Sequence, residues 1–123
     1  IENKLKENFA IEQVMLVGEG QKFVSALIVP NFDAVRSWCT RNDVPFEGKD
    51  EVLKNERVLA YFQSIIDRDN AKFNHVEQIR KFILLPGEWT VDGGELTPSL
   101  KMKRKAILSR FKDQINSLYY ELG

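Results

Sequence analysis

Apolar residues along the chain fall into patterns with distinct periods. Ile1, Leu5 and Phe9 recur every fourth residue, which predicts a short amphipathic helix from residue 1 to about residue 8. Ile11–Val17 and Phe23–Val29 are runs rich in Val, Ile, Leu and Phe, and Gly18-Glu19-Gly20-Gln21-Lys22 between them contains two glycines able to take positive φ. The segment reads as a β-hairpin, and its nearly continuous apolar content predicts burial on both faces. Pro30 ends the second strand. Asn31 or Asp33 then caps a helix carrying Ala34, Val35, Trp38 and Cys39, and Asn42-Asp43-Val44-Pro45 breaks it.

A longer helical stretch is predicted from about residue 50 to residue 73. Its apolar stripe is Leu53, Val58, Tyr61, Phe62, Ile65 and Ile66, with a break near Asn55. Lys81–Leu85 reads as a third strand stopped by Pro86-Gly87, and Glu88–Ser99 as a loop turning at Asp92-Gly93-Gly94. A final helix starting near Lys101–Lys103 places Ile107, Leu108, Phe111, Ile115 and Leu118 on one face. Strands and helices without regular βαβ alternation predict an α+β fold: a small mixed β-sheet with an N-terminal β-hairpin, packed with helices.

Length and composition narrow the class. The chain has 123 residues, 43% hydrophobic and 29% charged, which suits one folded domain and excludes a disordered tract. No apolar run reaches the roughly 20 residues of a membrane span and no signal-peptide pattern opens the chain, so it reads as cytoplasmic. The single cysteine, Cys39, has no intramolecular partner and sits beside Trp38 on an apolar face, where an inert thiol is expected. His75 is the only histidine, so no multi-histidine metal site is expected, and no metal ligands are assigned. Gly18 and Gly20 are too few for a nucleotide loop, and no carboxylate pair has the spacing of a general acid–base couple. Trp89, Phe23 and Phe82 read as core or interface aromatics. The start at Ile1, inside a helix and without a cap, suggests a piece cut from a longer protein.

Charge supplies the functional signal. The chain is neutral overall, yet residues 96–112 hold six cations (Lys101, Lys103, Arg104, Lys105, Arg110, Lys112) and no carboxylate, leaving a net charge of −6 on the rest. No global field therefore points to nucleic acid. Four of the five residues from Lys101 to Lys105 are cationic where the last helix is predicted to begin. Cations at the positive end of a helix are unfavourable by a few tenths of a kcal/mol each unless an anion docks there. The residues by themselves leave two readings open, an anion site or a solvated basic face.

Ser99-Leu100-Lys101-Met102-Lys103-Arg104 resembles the C-terminal lysine motif of the adenylate-forming superfamily, Pro-Lys-Thr-x-Ser-Gly-Lys-Ile-x-Arg, in its Ser, Lys and Arg and their spacing. Leu100 stands where that superfamily usually has glycine. Thr97-Pro98-Ser99-Leu100-Lys101-Met102-Lys103-Arg104 is similar to the long-chain fatty acyl-CoA synthetase form, commonly Leu-Thr-Pro-Thr-Leu-Lys-x-Lys-Arg. In that form leucine is the usual residue, and Ser99 replaces the commoner threonine. Ile1-Glu2 looks like the close of the family's Pro-x-x-Ile-Glu segment. The hairpin, the central helices and Gln78–Leu85 follow in the family's order.

The resemblance implies that residues 1–123 form the C-terminal lid domain of a long-chain fatty acid–CoA ligase. The large N-terminal AMP-binding domain, its phosphate loop and fatty-acid tunnel, the hinge residue and the CoA-facing loop would lie upstream. On this reading Lys101 is catalytic. Its ammonium, cationic at neutral pH, would stabilise charge on ATP while the fatty-acid carboxylate attacks the α-phosphorus, an effect worth about 10²–10³ in rate. The lid would then rotate and withdraw the lysine so that CoA can attack the adenylate. Arg104 would secure the loop or meet an acid on the large domain, and Lys103 and Lys105 would be solvated. Thr97 and Ser99 would cap the last helix or touch phosphate, with capping favoured by the general preference of helix starts for Ser and Thr.

The resemblance further implies that ATP with Mg²⁺ and CoA serve the whole enzyme, while none is held by this chain alone, which by itself should be inactive. Residues 88–105 should be mobile without their partner domain. Peripheral attachment of the whole enzyme to a membrane stays open. The alternatives are the lid of another adenylating enzyme, such as a peptide-synthetase adenylation domain or a short-chain ligase, and a freestanding basic module binding nucleic acid or acidic lipid.

Overall fold

A computed structural model describes residues 2–120. Its elements are α1 (Glu2–Lys6), β1 (Ile11–Val17), β2 (Val24–Pro30), α2 (Phe32–Arg41), α3 (Lys49–Val52), α4 (Glu56–Asn70), a 3₁₀ turn (His75–Glu77), β3 (Ile79–Leu84), α5 (Arg104–Arg110) and α6 (Lys112–Tyr120). The α+β fold holds. Ile1 lies outside the described residues, and Leu5 is buried as the helical period requires. Phe9 breaks the expected stripe and is 73% exposed. The chain turns before it: Ile11 N–H bonds to the Asn8 carbonyl at 3.0 Å and Ala10 N–H to Asn8 Oδ1 at 2.9 Å, ending the helix ahead of Phe9.

The sheet has three strands in the order β1-β2-β3. β1 and β2 form the expected antiparallel hairpin, with Val14 opposite Ile28 and Val17 opposite Ser25. Of the two turn glycines only Gly20 takes a positive φ, +74°. β2 and β3 pair in parallel, Ala26 with Phe82 and Ile28 with Leu84, so α2–α4 form the crossover. That pairing starts β3 at Ile79, two residues before the expected Lys81.

As the central strand, β2 is buried on both faces and feeds two cores by alternation. Ala26 and Ile28 join Leu5, Val35, Val58, Phe62 and Ile66 on one face, while Leu27 and Val29 join Met15, Trp89, Ile107 and Ile115 on the other. Each of these larger side chains removes enough apolar area from water to contribute about 1.5–3 kcal/mol. The result is three layers, with α1–α4 on one side of the sheet and the C-terminal segment on the other.

Local signals set the helix boundaries. Asn31, and not Asp33, caps α2: its Oδ1 accepts from the N–H groups of Asp33 and Ala34 at 3.1 and 3.3 Å. Asn55 divides the central helical stretch, accepting from Arg57 and Val58 N–H at 2.8 and 3.3 Å. α4 ends at Asn70 and not at Phe73. There the Asn70 side chain brackets Ile79, accepting from its N–H and donating to its carbonyl, and so ties the helix end to the start of β3.

The C-terminal helix departs from expectation in two ways. It begins at Arg104, because residues 101–103 are drawn into a hairpin. It is also interrupted at Phe111, whose φ of −105° and ψ of 23° separate α5 from α6. Leu108 consequently leaves the apolar face, whereas Ile107 and Ile115 stay buried.

Candidate functional site

Between β3 and α5 the chain crosses the second core face and returns as a short hairpin. Trp89, 1% exposed, anchors the outgoing limb. The Gln13 side chain grips its backbone in both directions: Trp89 N–H donates to Oε1 at 2.6 Å, and Nε2 donates to the Trp89 carbonyl at 2.9 Å. A turn then runs over residues 91–94, with Gly94 at φ +87° and Glu95 N–H bonded to the Thr90 carbonyl at 3.2 Å.

Glu95 points inward and is 2% exposed. Its Oε1 accepts from Thr90 N–H at 3.1 Å and its Oε2 from Arg110 Nη1 on α5 at 2.5 Å. Gly93 leaves room for that carboxylate, since a Cβ there would lie 2.6 Å from Oε1 and 2.9 Å from Oε2. Sequence reasoning misses this clamp. The only signal for it is that Glu95 is the last acid before a long acid-free basic run.

Glu95 opens the hairpin. Lys103 N–H donates to the Glu95 carbonyl at 2.8 Å, Leu96 and Met102 form an antiparallel bridge, and Thr97 N–H reaches the Lys101 carbonyl at 2.8 Å. The Thr97 carbonyl accepts from Leu100 N–H at 2.8 Å across Pro98-Ser99. Leu100 lies in the left-handed region at φ +65°. Three-residue hairpin loops reserve that position for glycine, and a leucine there costs about 1–2 kcal/mol.

Thr97 and Ser99 do not cap α5. Thr97 Oγ1 accepts from Lys101 N–H at 3.1 Å and bonds Ser99 Oγ at 3.1 Å, so both hydroxyls serve the hairpin turn. The N-cap position of α5 belongs to Lys103, which makes no side-chain cap bond. The backbone N–H groups of Leu100, Lys101 and Lys103 are committed within the hairpin. What the site offers an anion is the exposed Lys101 ammonium, and among the described residues no carboxylate pairs with it.

Arg104 pairs with an acid at the other end of this chain. Its guanidinium grips Glu2 with both nitrogens, Nη1 to Oε2 at 3.0 Å and Nη2 to Oε1 at 2.6 Å, and Glu2 Oε2 also accepts from Leu16 N–H at 2.8 Å. Burial alone would raise the Glu2 carboxyl, but the bonds from Arg104 and Leu16 and the Arg104 charge outweigh it and hold the group below its ordinary value. The same bond raises Arg104. Of the six cations, Arg104 and Arg110 are therefore neutralised locally, while Lys103 and Lys105 are exposed.

Of residues 88–105, expected to be mobile, Trp89, Glu95 and Leu96 are buried, whereas residues 88, 90–93, 98–101 and 103–105 are exposed. Cys39 is buried, which pushes its thiol up, and His75 is exposed. Among the described residues no three His, Cys, Asp or Glu side chains gather as metal ligands, and no helix is long and apolar enough to cross a membrane.

Lys101 opens onto a groove of about 590 Å³ shared with Glu12, Glu88, Trp89, Val91 and Leu100. The fold matches the C-terminal part of the adenylation domains of carboxylate reductases. The adenylation domain of a carboxylate reductase from Mycobacterium chelonae matches with a TM-score of 0.69 and 18% identity over 97% of this chain and 17% of its own. The corresponding domain from Segniliparus rugosus, solved with AMP and a co-purified carboxylic acid, matches with a TM-score of 0.69 and 20% identity over 99% of this chain and 18% of its own.

The chain belongs to the AMP-binding enzyme C-terminal domain family, which it matches over residues 1–123. It is 32% identical over 120 residues to a long-chain-fatty-acid–CoA ligase of Mycobacterium tuberculosis, covering 97% of this chain and 20% of the ligase. It is 34% identical over 124 residues to long-chain-fatty-acid–CoA ligase 1 of Cavia porcellus, covering 97% of this chain and 17% of the ligase. The chain thus spans about a fifth of the length of the relatives it matches.

Proposed function

We propose that this domain is the mobile C-terminal part of an ATP-dependent long-chain fatty acid–CoA ligase, and that Lys101 is its catalytic residue. The observation that carries the reading is the Lys101 ammonium, exposed and without an acidic partner among the described residues, on a hairpin tied at its base by Glu95 and Arg104. The fatty-acid carboxylate attacks the α-phosphorus of ATP, giving acyl-adenylate and pyrophosphate. Negative charge gathers on the phosphoryl oxygens as two anions meet, and a fixed cation there lowers the barrier. Rotation of the domain then removes the lysine and lets the CoA thiol displace AMP to form the thioester.

The larger N-terminal part of the same chain would hold ATP, the fatty acid and CoA. The long-chain substrate is supported by relatives at 32% and 34% identity, against 18% and 20% for the carboxylate reductases. A freestanding basic module is disfavoured, because Arg104 and Arg110 are consumed by Glu2 and Glu95.

Lys101→Ala in the intact enzyme should slow adenylate formation by about 10²–10³ while leaving thioester formation from supplied acyl-adenylate nearly unchanged. Lys103→Ala, two residues away and solvated, should alter either half-reaction by less than about tenfold, since rim charges contribute little. Equal effects of the two substitutions would reduce the motif to a generic basic patch.

A further inference from the structure

Leu100 is out of place by two physical criteria at once. Its backbone sits at φ +65°, where a side chain is strained and glycine is not, and its side chain is 69% exposed. A strained backbone supporting a solvated apolar group serves nothing within the domain. Leu100 lines the same groove as Lys101, and Val91, a second exposed apolar residue, lines it as well. If Lys101 enters an active site built by the rest of the chain, Leu100 enters beside it.

We infer that Leu100 is a docking residue, seated in an apolar recess of the larger N-terminal part of the chain when Lys101 is in its adenylation position; the inference rests on the ligase reading above. Charge around the groove selects this occupant over the acyl chain of the substrate. The groove's lining mixes the exposed carboxylates of Glu12 and Glu88 with the ammonium groups of Lys6 and Lys101. A hydrocarbon chain would strip water from these charges and offer them nothing, whereas a protein surface can answer both signs with ions or hydrogen-bonding groups. Burying Leu100 there holds Lys101 in register only for the first half-reaction.

The test uses the full-length enzyme and the variants Leu100→Gly, Leu100→Met and Lys101→Ala, with pyrophosphate release and thioester formation from supplied acyl-adenylate measured separately. Leu100→Gly removes both the strain and the apolar group, so a folding defect is not the expected outcome. It should slow adenylation about tenfold, equally for a shorter and a longer fatty acid, and leave the thioester step unchanged. Leu100→Met, which restores apolar volume, should recover adenylation to within about threefold of the parent.

Undiminished adenylation in Leu100→Gly overturns the inference, as does an equal fall in both half-reactions. A loss that grows with acyl-chain length would place Leu100 against the substrate and overturn it too. Lys101→Ala separates the layers. If that variant loses adenylation while Leu100→Gly does not, only the docking role fails, and if it keeps adenylation the ligase reading of the hairpin fails first.

Discussion

Gly93→Ala is the sharpest probe of how the lysine hairpin is held. A Cβ at residue 93 would lie 2.6 and 2.9 Å from the two Glu95 carboxylate oxygens and 2.9 Å from Thr90 Oγ1. Flexible side-chain tips usually move aside from such contacts. The Glu95 carboxylate is not free to, since it is 2% exposed and bonded to Arg110 at 2.5 Å and Thr90 N–H at 3.1 Å. Displacing it breaks a charge-assisted hydrogen bond, a loss of roughly 1.5–3 kcal/mol. The Arg110 side chain is 56% exposed, so water recovers part of that and keeps the cost below the roughly 3–5 kcal/mol of a fully buried pair. The expected destabilisation is about 2 kcal/mol, read as a shift of the urea midpoint at constant m-value. In a Glu95→Ala background the same substitution should cost clearly less, because only the 2.9 Å contact with Thr90 Oγ1 remains. A Gly93→Ala cost that is unchanged in that background, or is negligible in the parent, would refute the claim that the glycine exists to seat the carboxylate.

Two further outcomes are expected. Asn55→Ala should destabilise the chain by about 1 kcal/mol in urea denaturation by removing the cap of α4, while Asn55→Ser should retain most of it; equal losses would show that the Asn55 side chain caps nothing. Glu2 has a native value held below the ordinary one, so its ion pair stabilises the fold above the usual glutamate range and that stability is lost as pH falls through the native value. The advantage of the parent over Glu2→Gln should therefore be full at neutral pH, under about 1 kcal/mol for so exposed a partner, and should shrink below about pH 4.3. A difference that is flat from neutral pH into strong acid would contradict the pairing.

Features decided by neighbours in sequence are legible in the amino-acid order itself. The hairpin, the stop at Pro30 and the division at Asn55 follow from period, ring geometry and side-chain capping. Lys101 is legible through a local run of charge and a resemblance carried by six consecutive residues. What stays hidden depends on residues far apart. The parallel pairing of β3 with β2 leaves no local mark, because nothing in Ile79–Leu84 states which strand it will meet. Arg104 and Glu2 are 102 positions apart, and Glu95 and Arg110 differ from other charged residues only in what folds around them. The helix expected at Lys101–Lys103 fails for the same reason: Met102 pairs with Leu96 as a strand would, and that bridge outweighs the helical tendency of a lysine-rich run.

The closure between Glu2 and Arg104 also orders events in time. The first helix and the hairpin contact near neighbours and can form early, since short loops close cheaply. The lysine hairpin is fixed by partners 102, 76 and 15 residues away, so its position is settled after the sheet exists. On a ribosome adding roughly 5–20 residues per second, Glu2 waits about 5–20 s for Arg104 to be made. Through that interval its carboxylate and the Leu16 amide meet without the guanidinium that completes the set. A nascent chain halted before residue 104 would lack the guanidinium that ties the hairpin to the first helix.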